Sequence, residues 1–192
     1  MDAFLISTGI VALAEIGDKT QLLAFLLAAR FRRPLPIVLG ILVATIANHA
    51  FAAAVGALVS SLLGPNVMRW VLGLSFLAMA AWIMVPDEIE DEEESKLARF
   101  GVFMTTLIAF FVAEMGDKTQ VATVALAARF PSPVAVVIGT TAGMMLANVP
   151  AVYFGDRIAN RVPLKLVHGL AAVIFAVLGV ATLMGAGASL GF

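Results

Sequence analysis

Long apolar runs with few interruptions dominate the chain. Crossing about 30 Å of hydrocarbon takes about 20 helical residues, and six runs reach that length: roughly 3–29, 35–61, 67–85, 100–128, 133–155 and 164–185. Strict polar–apolar alternation is absent, which leaves a β-barrel little support. The pattern predicts an all-α membrane protein with six transmembrane helices. Abundant Ala and Gly within the runs suit helices packed closely in lipid, because small residues let backbones approach. Three runs precede the acidic segment DEIEDEEE at 87–94 and three follow it.

The polar interruptions repeat. EIGDKTQ at 15–21 returns as EMGDKTQ at 114–120, and EIGDKTQLLAFLLAARFRRPLPIVLG matches EMGDKTQVATVALAARFPSPVAVVIG at a constant offset of 99 without a gap. Beyond it His49 falls opposite Asn148 and Gly56 opposite Gly155, and at an offset of 96 RWVLGL (69–74) falls opposite KLVHGL (165–170). The chain is therefore an internal duplication: a first three-helix repeat over 1–86, an acidic linker over 87–99, and a second repeat over 100–192. An odd number of helices per repeat makes the second copy enter the membrane from the opposite side, the inverted arrangement common in secondary transporters.

Charge placement gives this arrangement a direction. If loops alternate sides, Arg30, Arg32, Arg33, Lys96, Arg99, Arg157, Arg161 and Lys165 share one side, against Arg69 and Arg129 on the other. The basic side is expected to be cytoplasmic, which puts the acidic linker inside and both termini outside. RFRRP (30–34) becomes RFPSP (129–133), losing two arginines where the inverted copy should face outward. Asp2 stands where a signal peptide would be basic, so the first run reads as a retained span.

Composition narrows the chemistry. The chain is 61% hydrophobic and 13% charged, with mean hydropathy +1.02, far more apolar than a soluble domain. Cysteine is absent, which excludes thiolate metal sites and cysteine nucleophiles. No phosphate-binding loop occurs, so neither a nucleotide-driven pump nor an enzyme is expected.

Glu15 and Glu114 fall near the middle of the first and fourth runs. A charge at the bilayer centre costs at least ~2.5–3.5 kcal/mol, a penalty hard to explain without function. On a continuous helix Glu15 and Asp18 share a face, Lys19 lies on its flank and Thr20 points largely away. The same holds for Glu114, Asp117, Lys118 and Thr119. Gly17 and Gly116 permit a local break between the acids. Two such helices crossing at the midplane would gather four carboxylates, and two lysines would leave two negative charges for one divalent cation. Oxygen donors without thiolates suit Ca²⁺, Mn²⁺ or Mg²⁺ over Zn²⁺ or Cu⁺. His49, beside Asn48, would favour Mn²⁺ if it reaches the ion; Asn148 would supply an oxygen, and Gln21 and Gln120 lie at the edge of the acidic face. Without metal, crowded carboxylates take up protons, so metal and protons would compete.

Plainer readings stand beside these. Glu15–Lys19 and Glu114–Lys118 pairs could simply pin helices together, leaving Asp18 and Asp117 unexplained. His49 reads equally as a hydrogen-bonded core histidine, and His168, near a helix end, as interfacial. The acidic run reads as a solvated linker, the scattered methionines as packing, and Pro150 as a kink in the fifth helix.

The paired motif resembles the Gdt-type cation transporters, which share a doubled Glu-x-Gly-Asp-Lys-Thr signature in two three-helix halves and include Golgi manganese/calcium transporters and bacterial manganese exporters. The resemblance implies Mn²⁺ or Ca²⁺ transport against protons, with Glu15, Asp18, Glu114 and Asp117 as the acidic site. The short linker is similar to the compact bacterial form and implies Mn²⁺ export across the cytoplasmic membrane. The expected partners are the cation, protons and the lipid bilayer, with no cofactor and no nucleic acid. A small-molecule exporter of amino-acid type would want arginines or helix N-termini at the midplane, and a non-transporting scaffold is the remaining alternative.

Overall fold

The computed structural model describes residues 1–85, 101–158 and 164–185. Among them every regular element is an α-helix: α1 (Asp2–Glu15), α2 (Lys19–Phe31), α3 (Pro34–Leu62), α4 (Pro65–Trp82), α5 (Val102–Glu114), α6 (Lys118–Arg129), α7 (Pro133–Ile158) and α8 (Leu164–Leu183). The acidic run 87–94, Lys96, Arg99 and Arg161 lie outside the described residues.

Eight helices appear where six apolar runs were counted, because the runs 3–29 and 100–128 each break inside the repeated motif. Ile16 (φ −66°, ψ 114°) and Met115 (φ −67°, ψ 114°) are extended. Gly17 and Gly116 follow at φ 85° and 78°, a region glycine enters without a Cβ penalty. Asp18 (φ −76°, ψ 166°) and Asp117 (φ −76°, ψ 167°) then start α2 and α6. The duplication read in the sequence thus recurs as the same backbone path 99 residues apart.

Among the described residues, three helical stretches are long and apolar enough to cross a membrane: Pro34–Leu62, Pro133–Phe154 and Lys165–Leu183. Pro34 and Pro133 stand at the start of α3 and α7, where a missing N–H breaks no helical bond. Large apolar side chains such as Leu35, Phe51, Leu58, Leu166, Val173 and Val177 face outward. Much of the buried interior, by contrast, is polar, including Glu15, Asn48, His49, Glu114 and Asn148.

The two halves interlock. α1 and α2 pack on α7 of the second half, α5 and α6 pack on α3 of the first, and the α3–α7 and α4–α8 pairs join the halves. Glycine sets two of these crossings. A Cβ added at Gly139 on α7 would lie 2.6 Å from the Phe4 carbonyl oxygen and 3.0 Å from Ser7 Cβ, while one added at Gly40 on α3 would lie 2.8 Å from Thr106 Cβ and 3.0 Å from the Phe103 carbonyl oxygen. Gly40, Phe103 and Thr106 are the repeat counterparts of Gly139, Phe4 and Ser7, so one contact is built twice. The kink expected at Pro150 falls elsewhere: α7 leaves helical angles only at Phe154 (φ −133°, ψ 19°). The rung that proline removes is absorbed without a change of backbone angle at Pro150 itself.

Candidate cation-binding site

Each break leaves a glutamate at the end of one helix and an aspartate at the start of the next. All four are enclosed: Glu15 and Glu114 are 0% exposed, Asp18 and Asp117 3%. The charges of Glu114, Asp18 and Asp117 act on Glu15, and those of Asp117 and Lys19 act on Glu114. The cluster is not a preformed ligand cage, since among the described residues no three Asp, Glu or His side chains stand together as metal ligands. In this conformation each acid is engaged by a protein partner instead.

Threonines hold the glutamates. Thr20 Oγ1 donates to Glu15 Oε1, while Thr119 Oγ1 donates to Glu114 Oε2 at 2.8 Å. This corrects the expectation that both threonines point away, which assumed a continuous helix. The left-handed glycine and extended aspartate reverse the chain, so that a residue five positions after the glutamate returns to its carboxylate.

Glutamines hold the breaks. The Gly17 N–H donates to Gln21 Oε1 at 2.8 Å and the Gly116 N–H to Gln120 Oε1 at 2.8 Å. Each thereby satisfies a backbone donor that the helix break exposes. Gln21 Nε2 donates onward to the Ala147 carbonyl of α7 at 3.0 Å, and Gln120 Nε2 to Asn48 Oδ1 of α3 at 3.5 Å. Each motif is so tied to the long helix of the other repeat.

The two asparagines differ. Asn48 Nδ2 donates to the Phe111 carbonyl at 3.1 Å, whereas Asn148 Nδ2 donates to Glu15 Oε1 and to the Met144 carbonyl, both at 3.1 Å. His49 is enclosed, and neither ring nitrogen has a hydrogen-bond partner, so no hydrogen bond joins it to the acids. Among the buried oxygens that also lack a hydrogen-bond partner are Glu15 Oε2, Glu114 Oε1 and Asn148 Oδ1. A buried acceptor left unpaired is costly, and such oxygens are the donors a hard divalent cation takes.

The lysines cross between repeats. Lys19 Nζ lies 2.9 Å from Asp117 Oδ1, and Lys118 Nζ lies 4.0 Å from Asp18 Oδ1. Pairs within one motif, Glu15–Lys19 and Glu114–Lys118, are not formed among these ion pairs, because the break turns each lysine toward the opposite half. Lys118 Nζ also donates to the Val85 carbonyl at 2.9 Å. His168 donates from Nε2 to the Ile16 carbonyl at 2.8 Å, an acceptor that the first break frees.

A family model described as "Divalent cation/proton antiporter GDT1" matches residues 3–91 and 102–189. The chain belongs to the GDT1 family. Its two matched blocks correspond to the two halves that carry the GDT1 motifs. A protein of Vibrio cholerae serotype O1 named "Putative manganese exporter" is 49% identical over 183 residues, covering 95% of this chain and 90% of its own. "GDT1-like protein 3" of Oryza sativa subsp. indica is 30% identical over 200 residues, covering 91% of this chain and 71% of its own. "GDT1-like protein 5" of Arabidopsis thaliana is 24% identical over 221 residues, covering 96% of each. No solved structure matches the chain. GDT1 membership makes this a membrane transporter of divalent cations rather than a catalyst of covalent chemistry.

Proposed function

We propose that this chain exports Mn²⁺ across the cytoplasmic membrane in exchange for protons, with Glu15, Asp18, Glu114 and Asp117 taking the ion and protons in turn. One observation supports the reading most: Glu15, Asp18, Glu114 and Asp117, the acids flanking the duplicated helix break, are all buried, and Lys19 and Lys118 pair with the aspartate of the opposite motif. Four carboxylates against Lys19 and Lys118 leave two negative charges, which one divalent ion balances. The unpartnered oxygens on Glu15, Glu114 and Asn148 supply hard donors suited to Mn²⁺ and, as a second cargo, Ca²⁺. The manganese-exporter name of the Vibrio relative favours Mn²⁺.

In this reading the membrane is crossed six times. α1–α2 and α5–α6 each cross as one broken helix, and α3, α4, α7 and α8 cross singly, with the second repeat inverted. The motifs then lie near the midplane, as discontinuous helices do in many secondary transporters. The side bearing Arg30, Arg32 and Arg33 is cytoplasmic and both termini are outside. Reporter tags at each terminus test this, and a cytoplasmic N-terminus would overturn the orientation.

The residues divide the work. The acids bind cation or protons; Thr20 and Thr119 hold the glutamates between loadings; Asn148 orients Glu15; Gln21 and Gln120 keep the breaks open. Mn²⁺ arriving from the cytoplasm displaces protons from the carboxylates, and protons arriving from outside displace Mn²⁺. The test is Mn²⁺ efflux from sealed vesicles under an imposed proton gradient, comparing the native chain with Glu15→Gln and Asp117→Asn. Both variants should lose at least about 100-fold in transport, given the cost of removing one charged partner from a buried group. Transport equal to the native chain in both would refute the site.

A further inference from the structure

We infer that Lys19 and Lys118 act as tethered cations that trade places with the transported ion, each on the aspartate of the opposite repeat. The inference rests on the transport reading above. Its starting point is the crossed pairing: Lys19 with Asp117 at 2.9 Å and Lys118 with Asp18 at 4.0 Å. Each motif supplies the counter-charge for the other motif's acid. An incoming cation that uses both aspartates must therefore displace both ammonium groups.

The two pairs are not equivalent. The Lys19 side chain is 29% exposed and that of Lys118 3%. Lys118 Nζ is anchored to the Val85 carbonyl at 2.9 Å, just beyond α4. Of the two ammonium groups, the one released from Asp117 is thus the less enclosed, whereas Lys118 keeps the Val85 carbonyl as a partner. In the conformation described, Asp117 exchanges first. Because the two motifs share one backbone path, interchanging the conformations of the two repeats places Lys118 at the open side and Lys19 at the closed one. Two lysines, one per repeat, are what such an interchange requires.

Lysine suits the task. Its compact charge on a flexible stem can leave and return, whereas an arginine fork holds a carboxylate by two bonds. While cargo is absent, the ammonium groups compensate the aspartates and hold the cluster together. When cargo leaves, their return blocks its rebinding.

Three versions of the protein in vesicles test this, with Mn²⁺ as the probe. Lys19→Gln removes the competitor, so KM for Mn²⁺ should fall about tenfold and kcat should fall with it, as ion release loses its displacing group. Lys19→Arg, which grips Asp117 more firmly, should raise KM. A lysine that only stabilised the fold would leave KM unmoved in folded protein, and an unmoved or raised KM in Lys19→Gln overturns the inference. Should Lys19→Gln fail to fold, the native protein decides: Mn²⁺ should increase modification of Lys19 by an amine-reactive reagent, read by mass spectrometry, and unchanged or decreased modification refutes it. If the native chain exchanges no Mn²⁺ for protons, the underlying transport reading fails; if it does and Lys19 does not respond, only this inference fails.

Discussion

Gly139→Ala is a sharp probe of how the halves interlock. The added Cβ would lie 2.6 Å from the Phe4 carbonyl oxygen and 3.1 Å from Phe4 Cα, short of ordinary contact by about 0.8 Å. These are backbone atoms, so no rotamer change relieves them and α1 must move away from α7. Overpacking of this kind costs about 1–3 kcal/mol. The displacement also reaches the site, because α1 ends on Glu15 and Asn148 of α7 donates to it at 3.1 Å. Moving α1 by that amount carries the pair beyond hydrogen-bonding distance. Gly9→Ala is the matched control: it lies on α1, and a Cβ there meets nothing within 4 Å among the described residues. It should be neutral or stabilising by up to about 1 kcal/mol, since glycine is a poor helix residue. Gly40→Ala, at the counterpart crossing, meets Thr106 Cβ at 2.8 Å and should fall between the two. Thermal melting in detergent and Mn²⁺ efflux rank the three. If Gly139→Ala melts and transports like Gly9→Ala, the α1–α7 crossing is not as described.

Other expectations are simpler. Thr119→Val removes the 2.8 Å donor that holds Glu114 in the unloaded state and should strengthen apparent Mn²⁺ affinity several-fold, about 1 kcal/mol, while Thr119→Ser keeps the native affinity; an unchanged affinity in the valine variant would show the hydroxyl to be idle. Gln120→Ala frees the Gly116 N–H and should lower the melting temperature, by a stability loss of about 1–3 kcal/mol, more than removal of an exposed polar side chain such as Ser61. Because the chain has no native cysteine, Lys19→Cys and Lys118→Cys each provide a single thiol, and a water-soluble reagent should label position 19, 29% exposed, faster than position 118, 3% exposed. Equal rates would contradict the asymmetry between the two pairs.

The duplication, the four acids and the possibility of a break at Gly17 and Gly116 could all be read from the chain, because apolar runs, motif spacing and glycine are local signals. The orientation of Thr20 and Thr119 could not be read by helical counting, since a single left-handed glycine resets the phase of every later residue. Gln21 and Gln120 were placed at the acidic edge, but their part in holding the Gly17 and Gly116 amides follows only once the helix is broken. The crossed lysine pairs and the His168 bond to Ile16 depend on how the halves interlock. No pattern along one repeat encodes that. His49 shows the converse limit: its mid-run position reads equally as a ligand or a hydrogen-bonded core histidine, and its enclosed ring nitrogens have no hydrogen-bond partner, whereas its counterpart Asn148 contacts Glu15.

Reciprocal exchange in liposomes holding only this protein tests the central claim most directly. With no other driving force, an imposed Mn²⁺ gradient should move protons the opposite way, and an imposed pH gradient should drive Mn²⁺ uphill. Mn²⁺ movement without any counterflow of protons, or none at all, would contradict cation/proton antiport by this chain.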